Sequence, residues 1–257
     1  MNLDTQNTQK DVALIMPALN EAANLDYLLP KLVPDYRVVV VDNGSTDSSA
    51  AVARNHGAEV VPCPKRGYGR AVSAGLDYLN STNTAEPSSG TRYVVVFDAD
   101  GTSPVKYIPT VVEPLRERRL DLVIGQRTSM ERGAMPPHAK FGNWLQVLLI
   151  GALTGIHYKD MGPLRAMRLA TFNELRMRDK TWGWNVEMQM KAALSRLRIG
   201  EMDIHYLPRR SGQSKISGSL VGSIKAGTKI VFAVGFYFLT WHAQRLGGEL
   251  RTLVWRR

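Results

Sequence analysis

Short apolar runs alternate with mixed polar segments through the first half of the chain. Five runs are rich in β-branched or aromatic residues, and they span residues 12–16, 36–41, 58–61, 93–97 and 120–124. Runs of this length that are bounded by polar or turn-forming residues predict strands buried on both faces. Because proline has no backbone N–H, we expect Pro17 to stop the first strand.

The segments between these runs are typical of helices and surface loops. Helices are expected at residues 22–32, from the end of segment 65–70 to residue 79, and at 105–118, with a polar loop at 80–92. Repeated strand–helix units predict an α/β fold with a twisted, mainly parallel sheet flanked by helices.

The second half of the chain predicts fewer strands. We expect a loop with some gating motion at residues 128–140, a helix at 144–156, the start of another helix at 182–190 and a strand at 199–206. Apolar residues recur at helical spacing after residue 215. The expected organisation is a flexible tail (1–10), a catalytic domain (11–210), and a basic loop with an amphipathic helical extension (211–257).

Two acids follow the central strand. Asp98 and Asp100 are two residues apart at the end of run 93–97, so both carboxylates are expected on the same side. Ligands of α/β sheets bind beyond the carboxyl ends of the strands, where two acids and phosphate oxygens would hold a divalent cation. A solvated Asp-Gly turn is the alternative. Asp42 ends the second strand in the same way.

The charge balance indicates an anionic partner. The formal net charge is +10, whereas the mean hydropathy of −0.19 is ordinary for a globular protein. Nucleic acid, a membrane surface or phosphorylated substrates are the candidate partners. The single cysteine, Cys63, excludes an internal disulfide and fits a reducing cytosol. The polar N-terminus lacks a signal-peptide core, so we expect a cytoplasmic protein.

Segment 65–70 carries two glycines and three cations just before a predicted helix. Such a segment could seat a diphosphate at the helix start. A solvated loop is nearly as good an interpretation.

Three motifs, at residues 15–21, 41–47 and 97–101, resemble in order and spacing the nucleotide-sugar motifs of family 2 glycosyltransferases. The resemblance implies a GT-A fold, inverting sugar transfer and Mg²⁺ or Mn²⁺. It also implies a nucleotide pocket lined by Pro17, Asn20 and Glu21, a base contact from Asp42, and metal ligation by Asp98 and Asp100. The nucleotide-sugar site expected on this basis comprises Pro17, Asn20, Glu21, Asp42, Gly44, Lys65, Gly69, Asp98, Ala99 and Asp100.

Segment 160–168 is similar to the acceptor-side motif of dolichyl-phosphate mannose synthases, with one residue fewer between Asp160 and Arg165. Arg127 ends the fifth predicted strand, where the family often has Gly-Ser-Arg, and Glu187 falls where these relatives carry an acid. The resemblance thus implies four catalytic residues, Arg127, Asp160, Arg165 and Glu187. A structural Asp160–Arg165 ion pair is an alternative, and Trp182 and Trp184 would pack either around the sugar or in the core.

The segment after the last predicted strand, residues 208–218, resembles the Arg-x-x-Gly-x-Ser-Lys segment of lipid-phosphate glycosyltransferases. Its cations, Arg209, Arg210 and Lys215, suit an anion clamp for the acceptor phosphate, because arginine binds phosphate oxygens in bidentate fashion. From residue 208 onward there are nine Arg or Lys residues and one acid, Glu249. Cations around an apolar helix favour the surface of an anionic membrane. Packing on the catalytic domain or a homodimer contact is the alternative.

These features predict an inverting transferase that moves a sugar from a nucleoside-diphosphate sugar to polyprenyl phosphate at the inner face of a membrane. A phosphate monoester is largely ionised at pH 7, so it needs positioning more than deprotonation. A hydroxyl acceptor is the main alternative. A nucleotidyltransferase is less favoured because no Gly-rich loop follows the first strand. A nucleic-acid-binding protein ranks last, because the cations cluster after residue 208 instead of alternating with aromatic residues.

Overall fold

The computed structural model describes residues 11–83, 90–132, 134–181, 183–211 and 232–243. Seven strands form one sheet in the order β3-β2-β1-β4-β6-β5-β7. Among these strands only β6 runs antiparallel to its neighbours, so the sheet is mainly parallel, as expected. The strands are β1 (Val12–Ala18), β2 (Arg37–Asp42), β3 (Glu59–Pro62), β4 (Tyr93–Val96), β5 (Leu122–Met130), β6 (Arg165–Arg168) and β7 (Ile199–Tyr206).

Helices cover both faces of the sheet. They are α1 (Ala22–Leu32), α2 (Ser49–Asn55), α3 (Tyr68–Thr82), α4 (Ile108–Arg116, preceded by a 3₁₀ turn at Val105–Tyr107), α5 (Pro137–Thr154), α6 (Leu169–Glu174), α7 (Trp184–Leu194) and a helical stretch at residues 232–243, named α8. Helices α1, α2 and α4 contribute to the core on one face. Helices α3, α5, α6, α7 and α8 contribute to the core on the other.

The central position of β1 explains its almost continuous apolar sequence. Its alternate residues enter opposite cores, with Leu14 and Met16 on one face and Ala13 and Ile15 on the other, all fully buried. Connection through α1 places β2 on one side of β1, whereas connection through α3 places β4 on the other side. The carboxyl edge of β1 and β4 is therefore the topological switch point at which ligands of such sheets bind.

Pro17 does not stop β1, contrary to the sequence prediction. The strand continues to Ala18, and Pro17 aligns with Val41 of β2. Phe97 donates its N–H to the carbonyl of Ile15. Backbone groups two residues apart in a strand point to the same side, so the backbone nitrogen of Pro17 also points toward β4. The β1–β4 register ends at Ile15, and the missing proline N–H therefore costs no ladder bond.

Further boundaries differ from the prediction. Strand β5 runs on to Met130 instead of ending at Arg127, because it pairs in parallel with β7, with an irregularity between Arg127 and Ser129. Helix α5 begins at Pro137 and not at Trp144, with proline in the first turn, where its missing N–H is tolerated. Of the predicted loop at 128–140, residues 131, 132 and 134–136 lie outside both elements. Within the described ranges, no helix is long and apolar enough to cross a membrane.

Gly162 allows the chain before β6 to approach the end of β5 closely. A Cβ added at this position would lie 2.0 Å from the carbonyl oxygen of Gly125. We expect Gly162→Ala to lower the free energy of unfolding by about 1–3 kcal/mol, the usual cost of overpacking, as measured by urea denaturation.

Gly235→Ala is the matched control, because an added Cβ there meets nothing within 4 Å. Since Gly235 lies in helix α8, alanine should be neutral or stabilising by up to about 1 kcal/mol. Equal unfolding free energies for Gly162→Ala and the wild type would contradict the close approach.

Candidate active site

The predicted site residues gather along one edge of the sheet. Strands β1, β2, β4, β5 and β7 end at this edge, and antiparallel β6 begins there. The strand order divides the edge at β4. Asn20, Glu21 and Asp42 lie on the β1–β2 side, whereas Arg127 and Arg165 lie on the β5–β6 side.

Asn20 fastens the loop after β1 to the loop after β2. Its side-chain oxygen accepts the N–H of Thr46 at 2.7 Å, and its own N–H donates to Ser45 Oγ at 3.0 Å. Asp42 Oδ1 accepts the N–H of Ser45 at 2.9 Å. Asn20 has φ of +56°, a left-handed conformation that asparagine tolerates better than most residues. The structure thus brings together two predicted nucleotide-pocket residues, Asn20 and Asp42.

Asn43 holds the loop that follows β3. Its amide nitrogen donates to the carbonyl of Lys65 at 3.0 Å, and its amide oxygen accepts the N–H of Gly67 at 2.8 Å. Gly44 has φ of +80° and lies against Pro64, whose carbonyl oxygen would be 3.1 Å from an added Cβ. The sequence analysis did not single out Asn43, whose positioning role becomes visible only in the structure, where its amide is buried.

The start of α3, for which a diphosphate seat and a solvated loop were the alternatives, is in contact with protein. Gly69 donates its N–H to the carbonyl of Thr181, and Arg70 to that of Lys180, both at 3.1 Å. A Cβ on Gly69 would lie 2.2 Å from the carbonyl oxygen of Asp179. The glycine therefore serves close packing against segment 179–181. Lys65 is exposed beside this region.

Asp98 and Asp100 converge beyond the end of β4, with buried Ala99 between them. Tyr68 donates its hydroxyl to Asp98 Oδ1 at 3.1 Å, and burial keeps the pKa of this tyrosine high, so it stays a donor. Asp100 Oδ1 accepts the N–H of Thr102 at 3.1 Å and its hydroxyl at 2.7 Å. Burial and then the charge of Asp100 raise the pKa of Asp98 to about 7. Tyr68 was not singled out from the sequence, since only the tertiary fold brings it to Asp98.

This carboxylate pair fits a hard divalent cation. Carboxylate oxygens are the ligands that Mg²⁺ and Mn²⁺ prefer, and the raised pKa of Asp98 indicates that positive charge is needed beside it. The described residues contain no group of three or more His, Cys, Asp or Glu side chains suited to a metal. A cation held by Asp98 and Asp100 would therefore take further ligands from donor phosphates or water.

Arg209 supplies positive charge to this side of the site. Its guanidinium lies 2.7 Å from Glu21 Oε1 and 3.4 Å from Asp100 Oδ2, so it bridges the ends of β1 and β4. The neighbouring Arg210 turns away and lies over the ring of Tyr27, 3.6 Å from its centroid. Sequence analysis assigned both arginines, together with Lys215, to the acceptor phosphate. The structure places Arg209 beside the predicted metal ligand, and Lys215 lies outside the described residues.

Arg127 and Asp160 form a buried pair on the β5–β6 side of the edge. The Nε and Nη2 atoms of Arg127 donate to the two carboxylate oxygens at 2.8 and 2.7 Å, and its backbone N–H donates at 2.9 Å. Burial acts to raise the pKa of Asp160, but these bonds hold it below its ordinary value. Asn143 of α5 accepts a further bond from Arg127 at 2.9 Å, and Glu201 accepts the N–H of Asp160 at 3.0 Å.

Arg165 is not the ion-pair partner of Asp160, which rules out the structural pair weighed from the sequence. Its buried guanidinium donates to the carbonyl of Gly162, to Asn185 Oδ1 and to Gln189 Oε1. In the described part of the chain it forms no salt bridge to a carboxylate. Its charge instead acts on Asp98 at the adjacent strand end, where it lowers the pKa against the effect of burial.

Glu187 is enclosed beneath segment 178–181. It is 1% exposed, accepts the N–H groups of Arg178 and Asp179, and pairs with Lys191 Nζ at 2.7 Å. Trp184 is fully buried between Tyr68 and Phe172 in the core, and Trp182 lies outside the described residues. In this arrangement Glu187 positions segment 178–181, which packs against the start of α3.

Comparison with known proteins gives a family and a fold. The sequence pattern of the family described as Glycosyl transferase family 2 matches residues 13–180. An uncharacterized glycosyltransferase of Mycobacterium tuberculosis is 37% identical over 84% of this chain and 94% of its own length. An undecaprenyl-phosphate mannosyltransferase of Micrococcus luteus is 30% identical over 82% of this chain and 89% of its own length.

A solved structure agrees with the fold. Glucosyl-3-phosphoglycerate synthase from Mycobacterium tuberculosis, in complex with Mn²⁺, UDP-glucose and phosphoglyceric acid, aligns with a TM-score of 0.64. The alignment covers 91% of this chain and 81% of that one at 19% identity, so the likeness shows the GT-A fold alone. Another crystal structure of that synthase contains Mg²⁺ and UDP.

The raised pKa of Asp98 predicts how stability depends on pH without metal. Between about pH 4 and pH 7 the folded state keeps a proton that the unfolded state has lost, so this group makes the free energy of unfolding fall as pH rises. In urea denaturation with chelator present, Asp98→Asn should remove this fall. The free energy of unfolding of the variant should thus rise relative to that of the wild type toward pH 8. Mn²⁺ should stabilise only the wild type.

Asp77→Asn is the control for replacing an acid by its amide at an exposed position of α3. Parallel stability curves for Asp98→Asn and the wild type would refute the raised pKa.

The different positions of Arg209 and Arg210 predict different effects on nucleotide affinity. Arg209→Gln removes the cation beside Asp100, so the affinity for nucleoside diphosphate should fall roughly ten- to hundredfold, the equivalent of one charge-assisted bond. Arg210→Gln is the matched control from the same segment and should leave that affinity nearly unchanged. Calorimetry with the nucleoside diphosphate and Mn²⁺ measures both values. A loss confined to Arg210→Gln would reverse the assignment.

Proposed function

The chain belongs to glycosyl transferase family 2 and is a glycosyltransferase with the GT-A fold, and from this premise we propose that it transfers a sugar, with inversion, from a nucleoside-diphosphate sugar to polyprenyl phosphate. An acceptor phosphate oxygen attacks the anomeric carbon. The bond from that carbon to the donor diphosphate breaks, and the nucleoside diphosphate leaves with the electron pair.

The donor occupies the β1–β2–β4 half of the edge in this proposal. Asp42 binds the base, with Pro17, Asn20, Glu21 and Gly44 lining the nucleotide pocket. The support is the shared scaffold that Asn20 and Asp42 form with segment 44–46. Lys65 and Gly69 are kept as neighbours of the donor, although the N–H of Gly69 is already bonded to protein.

The proposed cofactor is Mg²⁺ or Mn²⁺, held by Asp98 and Asp100. When bound, it supplies positive charge to the donor diphosphate and stabilises the charge that develops on the leaving group. Arg209 adds a second positive charge on the same side through its position between Glu21 and Asp100. Tyr68 holds Asp98 in place by its hydrogen bond.

The hydrogen bonding and burial of Asp160 and Glu187 are the main support for a phosphate acceptor. Asp160 receives three bonds from Arg127 and has a lowered pKa, and Glu187 is buried against backbone N–H groups and Lys191. Neither acid is poised to take a proton from an alcohol. A phosphate monoester is already ionised near neutral pH, so it requires only positioning by cations. Arg127 and Arg165, with Arg210 and Lys215, are proposed to provide this positioning.

The lipid part of the acceptor is supported by sequence similarity and by the surface of the protein. The Micrococcus luteus relative is named for undecaprenyl phosphate. Helix α8 exposes Phe232, Phe236 and Leu239 on one face, in a basic C-terminal region. We infer peripheral attachment to the cytoplasmic face of an anionic membrane, with no nucleic-acid partner.

Paired lipid acceptors test the proposal. Radiolabelled nucleotide sugars are incubated with the enzyme, Mn²⁺ and either undecaprenyl phosphate or undecaprenol, which differ only in the phosphate. Label should pass to undecaprenyl phosphate at least a hundredfold faster, because the alcohol has no ionised oxygen. Comparable transfer to undecaprenol, or transfer only to soluble hydroxyl acceptors, would contradict the proposed acceptor.

A further inference from the structure

Helix α5 carries an exposed apolar stripe along its outer face. Phe141, Trp144 and Leu148 are 60%, 55% and 51% exposed and follow one another at spacings of three and four residues. Pro137 and Ala152 extend the same stripe at both ends and are also exposed. Large apolar side chains that continue over one whole helix face mark a surface that is covered in the working protein.

The inner face of α5 is already occupied. Ile150 is fully buried in the core, and Val147 and Leu149 pack against it. A helix that is apolar on both its inner and outer sides is normally buried all round. The described residues of the catalytic domain therefore leave the stripe uncovered.

Charge indicates the chemistry of this partner. No Asp or Glu occurs between residues 132 and 159, whereas Arg132, Lys140 and Lys159 are exposed there. An apolar, aromatic helix face in a stretch of chain that carries cations and no acids fits the headgroup region of an anionic bilayer. Since none of the described helices is long and apolar enough to span a bilayer, α5 would lie along the surface.

We propose, building on the proposed function, that the stripe formed by Phe141, Trp144 and Leu148 is a membrane-docking surface that rests on an anionic lipid bilayer. Helix α8 packs on the same face of the sheet and also exposes apolar residues. The membrane contact inferred for the C-terminal region thereby extends to α5 within the catalytic domain.

The position of α5 relates the membrane to the acceptor side of the site. Asn143 lies between Phe141 and Trp144 in the sequence, yet its side chain points inward and accepts bonds from Arg127 Nη2 and from the N–H of Met161, both at 2.9 Å. One helix therefore contacts the Arg127–Asp160 pair on its inner side and the bilayer on its outer side. A lipid phosphate at headgroup depth would meet the site at this pair.

A single-cysteine probe tests the contact in the full chain. Cys63 is the only cysteine, so Cys63→Ala with Trp144→Cys accepts one environment-sensitive fluorophore. On phosphatidylglycerol-containing vesicles its emission should shift to the blue and strengthen. Asn55→Cys in the same background is the control, because exposed Asn55 lies in α2 on the opposite face of the sheet and should not respond.

A triple variant gives an independent measurement. Phe141→Gln, Trp144→Gln and Leu148→Gln together should lower vesicle affinity at least tenfold in sedimentation, while sugar transfer to a short, water-soluble polyprenyl phosphate stays unchanged. Equal losses toward the soluble and vesicle-borne acceptors would overturn the proposal, because the stripe would then serve the site itself.

Further outcomes distinguish a bilayer from a second copy of the chain as the partner of the stripe. Wild-type vesicle affinity in the triple variant, or no response of the residue 144 probe on vesicles, would overturn the proposal. A probe already blue-shifted in buffer, together with a doubled mass by light scattering, would show a second copy on the stripe and would also overturn it. If the probe responds to vesicles but neither polyprenyl phosphate accepts sugar, the docking surface stands and the proposed acceptor fails.

Discussion

The arrangement of the site depends on the electrostatic balance around three acids at the carboxyl edge of β1 and β4. Glu21, Asp98 and Asp100 are brought together there, and burial and the charge of Asp100 disfavour the charged form of Asp98. The raised pKa of Asp98 is the direct sign of this cost. Arg209 offsets it by bridging Glu21 and Asp100, and Arg165 contributes from the buried side. Under the proposed function, this balance favours binding of a divalent cation together with an anionic diphosphate.

In the proposed function, the strand order separates the two substrates across this charge cluster. Parallel strands β1 and β2 direct their loops to the nucleotide side, and β4 ends at the boundary. Antiparallel β6 is inserted between β4 and β5, so that Arg165 begins its strand next to the end of β4. Arg127 and Asp160 follow on the far side. A sugar bound over Asp98 and Asp100 would therefore have its leaving group on one side and the acceptor cations on the other.

Sequence reasoning succeeded where local chemistry decides the structure. The bounds of α1 were predicted as observed, and the buried strands β1, β2 and β4 were recognised from contiguous apolar runs. It failed where distant pairing decides. The extension of β5 depends on β7, and the choice of Arg127 as the partner of Asp160 depends on the insertion of β6. The close packing at Gly69 was not predicted because segment 179–181, which packs on it, lies far along the chain.

Metal-dependent binding of the leaving group tests the central claim, that the acids after β4 form the donor–metal site. Calorimetric titration of UDP and the other nucleoside diphosphates is carried out with Mn²⁺ and with chelator, for the wild type and for Asp100→Asn. The account predicts binding of at least one nucleoside diphosphate that is strong with Mn²⁺, at least tenfold weaker with chelator, and insensitive to Mn²⁺ in the variant. Equal affinity for that ligand in all four titrations would contradict it.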